Sequence, residues 1–497
     1  MEFIKNFPFF SIILAMSAGI ISSVLDGKNA KRLTYFVTIA VGIMSGVLLA
    51  YLLQTGESYT YMMGHYPAPW GNEIRAGVLE GMMGVFVCVV MILSLLGGNI
   101  YIFEEIEDTK INLYFILIDL LLSSLLALIY TNDLFTAYVF IEINTISACG
   151  LIAIKQIGRT TLAATRYMIM SLLGSGLILI GLTLLYDLTG HLLMSNIKET
   201  IENIVAQGTY QVPLAVIVGL ISVGLAIKSA LYPFHTWLPG AYSYSTVTSS
   251  AILSSLVSKG YIFLLIKISY RVIGIDVIAA CGIDNIFFVF GLIGIIMGSL
   301  HAIKERDIRR MVAYSSVAQI GYIYVGIGLG NELGIIAAIF HIFSHGATKA
   351  LLFISAMGLS EASGNSKSFS QLSGAGYRNK MAGISFTIGA LSMVGLPLFS
   401  GFISKLCFST ASLQVSGKML PTLIVLAIST VLNAVYFLRA VIIIYTPVQA
   451  DKYKEEKFNR HSSFVWAMIF FMTTNILLGT CSQPIVEAVR MGIHMFA

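Results

Sequence analysis

Apolar residues run in long stretches from one end of the chain to the other, separated by short polar connections. Stretches of roughly the 20 residues a bilayer requires occupy 8–24, 33–54, 81–98, 112–130, 134–154, 166–186, 212–234, 247–271, 284–302, 310–330, 333–358, 382–408, 420–446 and 463–489. The pattern predicts fourteen transmembrane helices. An all-α polytopic membrane protein follows, because backbone polar groups inside hydrocarbon must be satisfied within each segment. The connections are too short for a soluble domain of ordinary size, so catalysis in water belongs to a partner. The first stretch is followed by Ser22 and Ser23 with no convincing cleavage site, and it reads as a retained first helix.

Composition agrees with this class. Of 497 residues 57% are hydrophobic and 11% charged, against about 25% charged in a soluble chain. The net charge of +5 reports topology and not nucleic-acid binding. With the N-terminus outside, eighteen of the thirty Lys and Arg fall in the inward connections, including Lys28, Lys155, Arg309, Arg310, Lys452, Lys454, Lys457 and Arg460, and seven in the outward ones. That bias fits the positive-inside rule and predicts both termini on the outer face. Cys88, Cys149, Cys281, Cys407 and Cys481 are isolated, with no spacing that suits zinc or an iron–sulfur cluster. No phosphate-binding glycine motif is present. The sequence therefore predicts no cofactor and no metal in this chain.

The remaining cations lie inside the spans: Lys228, Lys259, Lys349, Lys405 and Arg439. A charge at membrane depth costs roughly 2.5–3.5 kcal/mol even on lenient insertion scales, so several in one chain read as a proton or ion path. In the seventh span, Pro233 follows Lys228 closely and should break the helix beside it. Gly395, Pro397 and Gly401 interrupt the twelfth span before Lys405. Two broken helices, each with one buried lysine, are the pattern of a transporter built from internal repeats. Desolvation disfavours a charged lysine and a nearby carboxylate favours it, so motion of Glu142 relative to Lys228 would switch a proton on or off. His341, His345 and Lys349 recur every four residues, which places them on one helical face about 6 Å apart, a spacing suited to proton relay. Lys259 would bridge the two halves.

Simpler readings cover other residues. Lys267 and Arg439 read as side chains snorkelling to the headgroups. Asp119 is balanced between a hydrogen-bonded structural carboxyl and a relay member, and Asp133 lies at a membrane boundary.

Five ordered motifs carry a resemblance across about residues 80–440. They are YVFIEINTISACGLIAI with Glu142, KSALYPFHTWLPGA with Lys228, LHAIKERDIRRMVAYSSVAQIGYI with His301, FHIFSHGATKALLF with His341, His345 and Lys349, and GLPLFSGFISK with Lys405. Together they resemble the antiporter-like subunits shared by respiratory complex I, Mrp cation/proton antiporters and membrane-bound energy-converting hydrogenases. The segment YPAPWG, Tyr66 to Gly71, is most similar to Mrp D-type or hydrogenase-associated subunits. Where the family continues HTWLPGA with a histidine and an APTPV-like run, this chain has Tyr242 and neither proline. Tyrosine titrates far above neutrality, which separates this loop from the family's proton-access route.

The resemblance implies two inverted five-helix repeats with broken helices 7 and 12. It divides the chain into N-terminal helices (1–110), a first half-channel (111–272), a second half-channel (273–447) and a last helix (448–497). It implies that Glu142 and Lys228 form a switching pair, that Lys259, His341, His345 and Lys349 lie on a central axis, and that Lys405 exchanges protons with the far side. The expected role is a proton-translocating subunit of a multisubunit membrane complex in a prokaryotic inner membrane, moving H+ with or without Na+ exchange. Its expected partners are other membrane subunits of an Mrp-type, hydrogenase or complex I-type assembly. Alternatives are a proton-pumping subunit of a quinone oxidoreductase, a quinone-binding redox subunit, an independent solute carrier, and a scaffold.

Overall fold

A computed structural model describes residues 2–63, 66, 71–447 and 462–496. Lys452, Lys454, Lys457 and Arg460, and residues 67–70 of the YPAPWG segment, lie outside the described residues. The helices are, in order, α1 (Phe7–Ser22), α2 (Gly27–Thr55), α3 (Val78–Gly97), α4 (Asn99–Glu105), α5 (Ile111–Tyr130), α6 (Leu134–Ala153), α7 (Gly158–Thr189), α8 (Met194–Gln207), α9 (Gln211–Lys228), α10 (Leu238–Tyr244) and α11 (Val247–Ile252). They continue as α12 (Ser258–Lys267), α13 (Ile275–Ala280), α14 (Ile283–Lys304), α15 (Ile308–Gly328), α16 (Glu332–Glu361), α17 (Ala375–Arg378), α18 (Lys380–Val394), α19 (Ser400–Leu413), α20 (Ser416–Ile444), α21 (Ser462–Thr480) and α22 (Ser482–His494). Among the described residues, twelve helical segments are long and apolar enough to cross a membrane. The chain is an all-α, multi-pass membrane protein. Helix α15 and the broken pair α18/α19 pack among these spans, against α14, α16 and α20.

Local chemistry sets the helix ends. Asp133 accepts from the Thr136 amide at 2.6 Å, and Asp307 accepts from the amides of Arg309 and Arg310 at 2.8 and 3.0 Å. Both satisfy donors that a helix start leaves free, which gives Asp133 a structural place at its boundary. Helices α7 and α9 approach closely where Gly174 faces Gly224: a Cβ on Gly174 would lie 2.9 Å from the Gly224 carbonyl oxygen and 3.1 Å from Lys228 Cγ. Small residues at such crossings let membrane helices touch backbone to backbone.

Five features depart from the hydropathy pattern. The run 212–234 stops being helical at Lys228, and the run 463–489 divides at Cys481 into α21 and α22. An antiparallel hairpin, β1 (Tyr59–Met62) with β2 (Glu73–Ala76), joins α2 to α3. Helix α8 is amphipathic, burying Met194, Ile197, Ile201 and Ile204. The span 247–273 contains two π-helical turns, Leu253–Val257 and Ile268–Ile273, on either side of α12.

Candidate functional site: a chain of buried amines

Lys228 is the last residue of α9, where the negative end of a helix dipole favours a cation. Its Nζ lies 3.7 Å from Glu142 Oε1 on α6, with the lysine side chain fully buried and the glutamate side chain 27% exposed. Thr145, three residues after Glu142 and therefore on the same helical face, accepts from Lys228 Nζ at 2.8 Å. Ser175 on α7 donates its hydroxyl to Glu142 Oε1. The carboxylate thus has an amine at ion-pair distance, a hydroxyl donor, and a partly open side. From the same lysine a polar thread leads inward: Thr145 Oγ1 stands 3.4 Å from the Tyr261 hydroxyl, which donates to Asn144 Oδ1 at 2.9 Å. Tyr261 is on α12, two residues from Lys259.

Lys259 is fully buried. Its amine donates to the Ser254 carbonyl, inside the first π turn, and stands 3.3 Å from Ser258 Oγ. Such turns break the regular hydrogen-bond ladder and recur at functional sites. Helix α16 packs directly on this turn at Gly346, where an added Cβ would meet the Ser255 carbonyl at 3.0 Å.

His341, His345 and Lys349 on α16 are all buried. The two imidazoles stack with centroids 5.7 Å apart and planes 2° from parallel. His341 Nδ1 is 2.5 Å from Ser404 Oγ, and Ser404 directly precedes Lys405. His341 Nε2 and both ring nitrogens of His345 are buried without a protein partner. Buried polar groups in that condition are met by water, the medium a proton relay needs. Lys349 turns away from His345, donating to the Val312 carbonyl at 3.0 Å and to Ser315 Oγ at 2.8 Å on α15. Tyr436 donates to the same serine at 3.1 Å.

Lys405, six residues into α19, reaches back across the helix break to the Val394 carbonyl at 2.6 Å and to Thr430 Oγ1 at 2.8 Å. Gly395 is required there twice over. Its φ is +91°, and a Cβ would lie 2.9 Å from Lys405 Cδ. Gly401 lets the half-helices approach, since a Cβ would fall 1.8 Å from the Ser392 carbonyl oxygen.

The seven candidate residues lie on α6, α9, α12, α16 and α19: α12 packs against α9 and α16, α16 packs against α19, and α6 reaches this row through the π turn Leu253–Val257. The structure brings together Glu142 with Lys228, His341 with His345, and His341 with the residue beside Lys405. It gives Lys349 a direct partner on α15 and not on its own helix. The hydroxyl partners are not evident in the sequence, although Thr145 sits one helical turn from Glu142 and Ser404 directly precedes Lys405. Thr430 and Ser315 carried no such signal.

Two outlying residues, Lys267 and Arg309, depart from the placement expected of them. Lys267 does not snorkel: it is fully buried and donates to the carbonyls of Ile129 and Thr131 at 2.6 and 2.7 Å. Arg439 donates to the Ile303 and Glu305 carbonyls at 2.7 and 2.9 Å, capping α14. Arg309, assigned to an inward connection, is fully buried and donates to the Ser245 carbonyl at 2.7 Å and to Ser250 Oγ at 2.6 Å. Asp119 is buried and accepts from Thr34 Oγ1 at 2.9 Å.

Residues 131–433 match the family described as NADH:quinone oxidoreductase/Mrp antiporter, transmembrane. The chain is 34% identical over 406 residues to NADH-quinone oxidoreductase subunit N of Desulforudis audaxviator, covering 81% of this chain and 78% of that one. It is 27% identical over 442 residues to a putative antiporter subunit mnhA2 of Staphylococcus haemolyticus, covering 83% of this chain and 53% of that one. Among solved structures, it is similar to a chain of the membrane-bound sulfane sulfur reductase, an archaeal respiratory membrane complex, with a TM-score of 0.87, 23% identity, and 100% and 98% of the two chains covered. It is also similar to a chain of the Mrp complex from Dietzia, with a TM-score of 0.86, 20% identity, and 99% and 97% covered. The matched region contains the Glu142–Lys228 pair, the histidine helix and Lys405, and the chain belongs to the NADH:quinone oxidoreductase/Mrp antiporter transmembrane family.

Proposed function

We propose that this chain is the proton-translocating, antiporter-like subunit of a multisubunit membrane complex. The observation that carries the reading is the Glu142–Lys228 pair at the end of a broken helix, continued through the buried groups of α12, α16 and α19. A partner's charge or movement draws Glu142 away from Lys228. The amine then releases its proton inward past Thr145 and Tyr261 to Lys259, His345 and His341, with Lys349 setting the charge of the axis. Lys405 passes the proton to the far side. The spans from 111 to 272 and from 273 to 447 act as two half-channels of inverted topology, within fourteen spans that count α15 and the broken α18/α19. The inward bias of Lys and Arg supports outward termini in a prokaryotic cytoplasmic membrane.

The test is proton uptake by vesicles carrying the assembled complex. Lys228→Ala or Glu142→Ala should lower coupled uptake about a hundredfold or more, with the subunit still co-purifying with its partners. Uptake at the wild-type rate in both variants would end the proposal. A second reading, exchange of H+ for a counter-ion, is favoured by the relative named as an antiporter subunit, with Na+ the counter-ion to test. It requires proton uptake to depend on an opposing Na+ gradient, whereas a subunit driven like the relative named for NADH-quinone oxidoreduction requires electron flow instead.

A further inference from the structure

A second group of buried charges lies outside this relay. Glu73, Glu80, Lys267 and Arg271 are 7%, 1%, 0% and 4% exposed. They come from four elements, namely strand β2, helix α3, the end of α12, and the π turn after it. Arg75, also on β2, and Glu80 act electrostatically on both Lys267 and Arg271. Several polar atoms here are buried and unpartnered: Glu80 Oε1, Arg271 Nη1, Ser269 Oγ, and the hydroxyls of Tyr130 and Ser45. The last two converge on Gly84, one turn beyond Glu80, where an added Cβ would lie 2.5 Å from the tyrosine and 3.2 Å from the serine oxygen. Such a concentration of unsatisfied groups calls for water.

The helix itself supplies the second observation. Lys259 and Lys267 are the second and last residues of α12, about 12 Å apart along the axis at 1.5 Å per residue. Each adjoins a π turn, Lys259 following one and Lys267 preceding the other. Each amine donates to backbone carbonyls and none makes an ion pair within 4 Å among the described residues. The hairpin closes over this end, with Ile74 bridging to Thr131 and Asn132 donating to Glu73. Lys267 takes the Thr131 carbonyl of that same junction.

We propose that Lys267, set among Glu80, Arg75 and Arg271 with Glu73 beside the two arginines, is a further proton-binding site, through which Lys259 exchanges protons with the membrane face that bears the hairpin. It rests on the relay reading above and adds a second exchange route beside Lys405. The proton moves between amine and water, with no other bond changed. Three cations facing two carboxylates become a balanced set when Lys267 gives up its proton.

Lys267→Arg separates this role from capping of α5, because guanidinium keeps the charge and the donors to Ile129 and Thr131 but does not deprotonate. In vesicles of the assembled complex, Lys267→Arg and Lys267→Met should both lower proton uptake about tenfold, and Glu80→Gln should lower it and displace its pH profile. Wild-type uptake in Lys267→Arg overturns the site. Should Lys267→Arg fail to assemble, Glu80→Gln decides: wild-type uptake with an unmoved pH profile overturns it. Lys228→Ala run alongside keeps the two claims apart. Uptake surviving Lys228→Ala removes the relay, whereas uptake lost in Lys228→Ala and normal in Lys267→Arg removes only this site.

Discussion

Lys228 and Lys405 each sit beside a break in a membrane-spanning stretch, yet they are held differently. Lys228 ends its half-helix and shares its surroundings with a carboxylate 3.7 Å away. Lys405 lies beyond its break and reaches back to a carbonyl and a hydroxyl, and among the described residues no carboxylate pairs with it. A carboxylate that moves can change a lysine's charge by several kcal/mol of Coulomb energy, about 4 at 4 Å near a protein surface. Fixed neutral dipoles cannot be switched in that way. In the proposed relay, switching falls to the first break and simple exchange to the second, and Glu142 is the group that pairs an amine while remaining partly exposed.

The largest effect expected from this contrast comes from making the second break like the first. Thr430→Asp would set a carboxylate beside Lys405, hold the amine charged, and slow proton uptake about a hundredfold, while leaving assembly intact. Uptake close to wild type would mean that Lys405 does not need to lose its proton. A smaller and opposite asymmetry is expected from removing hydroxyls. Thr430→Val takes away one of the two polar partners of Lys405 and should cost about tenfold in uptake, since a hydrogen bond to a charged group contributes about 1.5–3 kcal/mol. Thr145→Val leaves Lys228 its carboxylate and should cost about threefold at most. Equal losses in the two valine variants, read in the same vesicle assay, would erase the distinction between the breaks. The smallest effect is on folding: Gly395→Ala forces a Cβ into a positive-φ residue and against Lys405, and should lower stability by about 1–2 kcal/mol, read as a lower melting temperature of the purified complex.

Both breaks were legible in the sequence because proline and glycine act locally. Pro233, Gly395 and Pro397 interrupt a helix whatever surrounds it. The spacing of His341 and His345 likewise carried over directly into stacked rings. Lys267 was misread for a physical reason. A lysine near the end of an apolar run looks able to reach water, and only the hairpin, the end of α5 and Glu80, all distant in sequence, close that route. The hairpin strands YTYM and EIRA are too short to stand out beside twenty-residue apolar runs. Arg309 looks like a loop cation in the sequence because the turn of α10 and α11 that buries it is made elsewhere in the chain. The hydroxyls that receive the amines, Thr430 and Ser315 above all, belong to partner helices and carry no marker of their own.

The central claim is that Glu142 acts through Lys228. It is tested most directly by a double-mutant cycle on proton uptake with Glu142→Gln, Lys228→Met and the two combined, each in assembled complexes of equal abundance. Residues acting as one unit give strongly non-additive losses, so the double variant should be no slower than the slower single variant. A double variant whose loss equals the product of the two single losses would show that the two residues act independently, and would contradict the account.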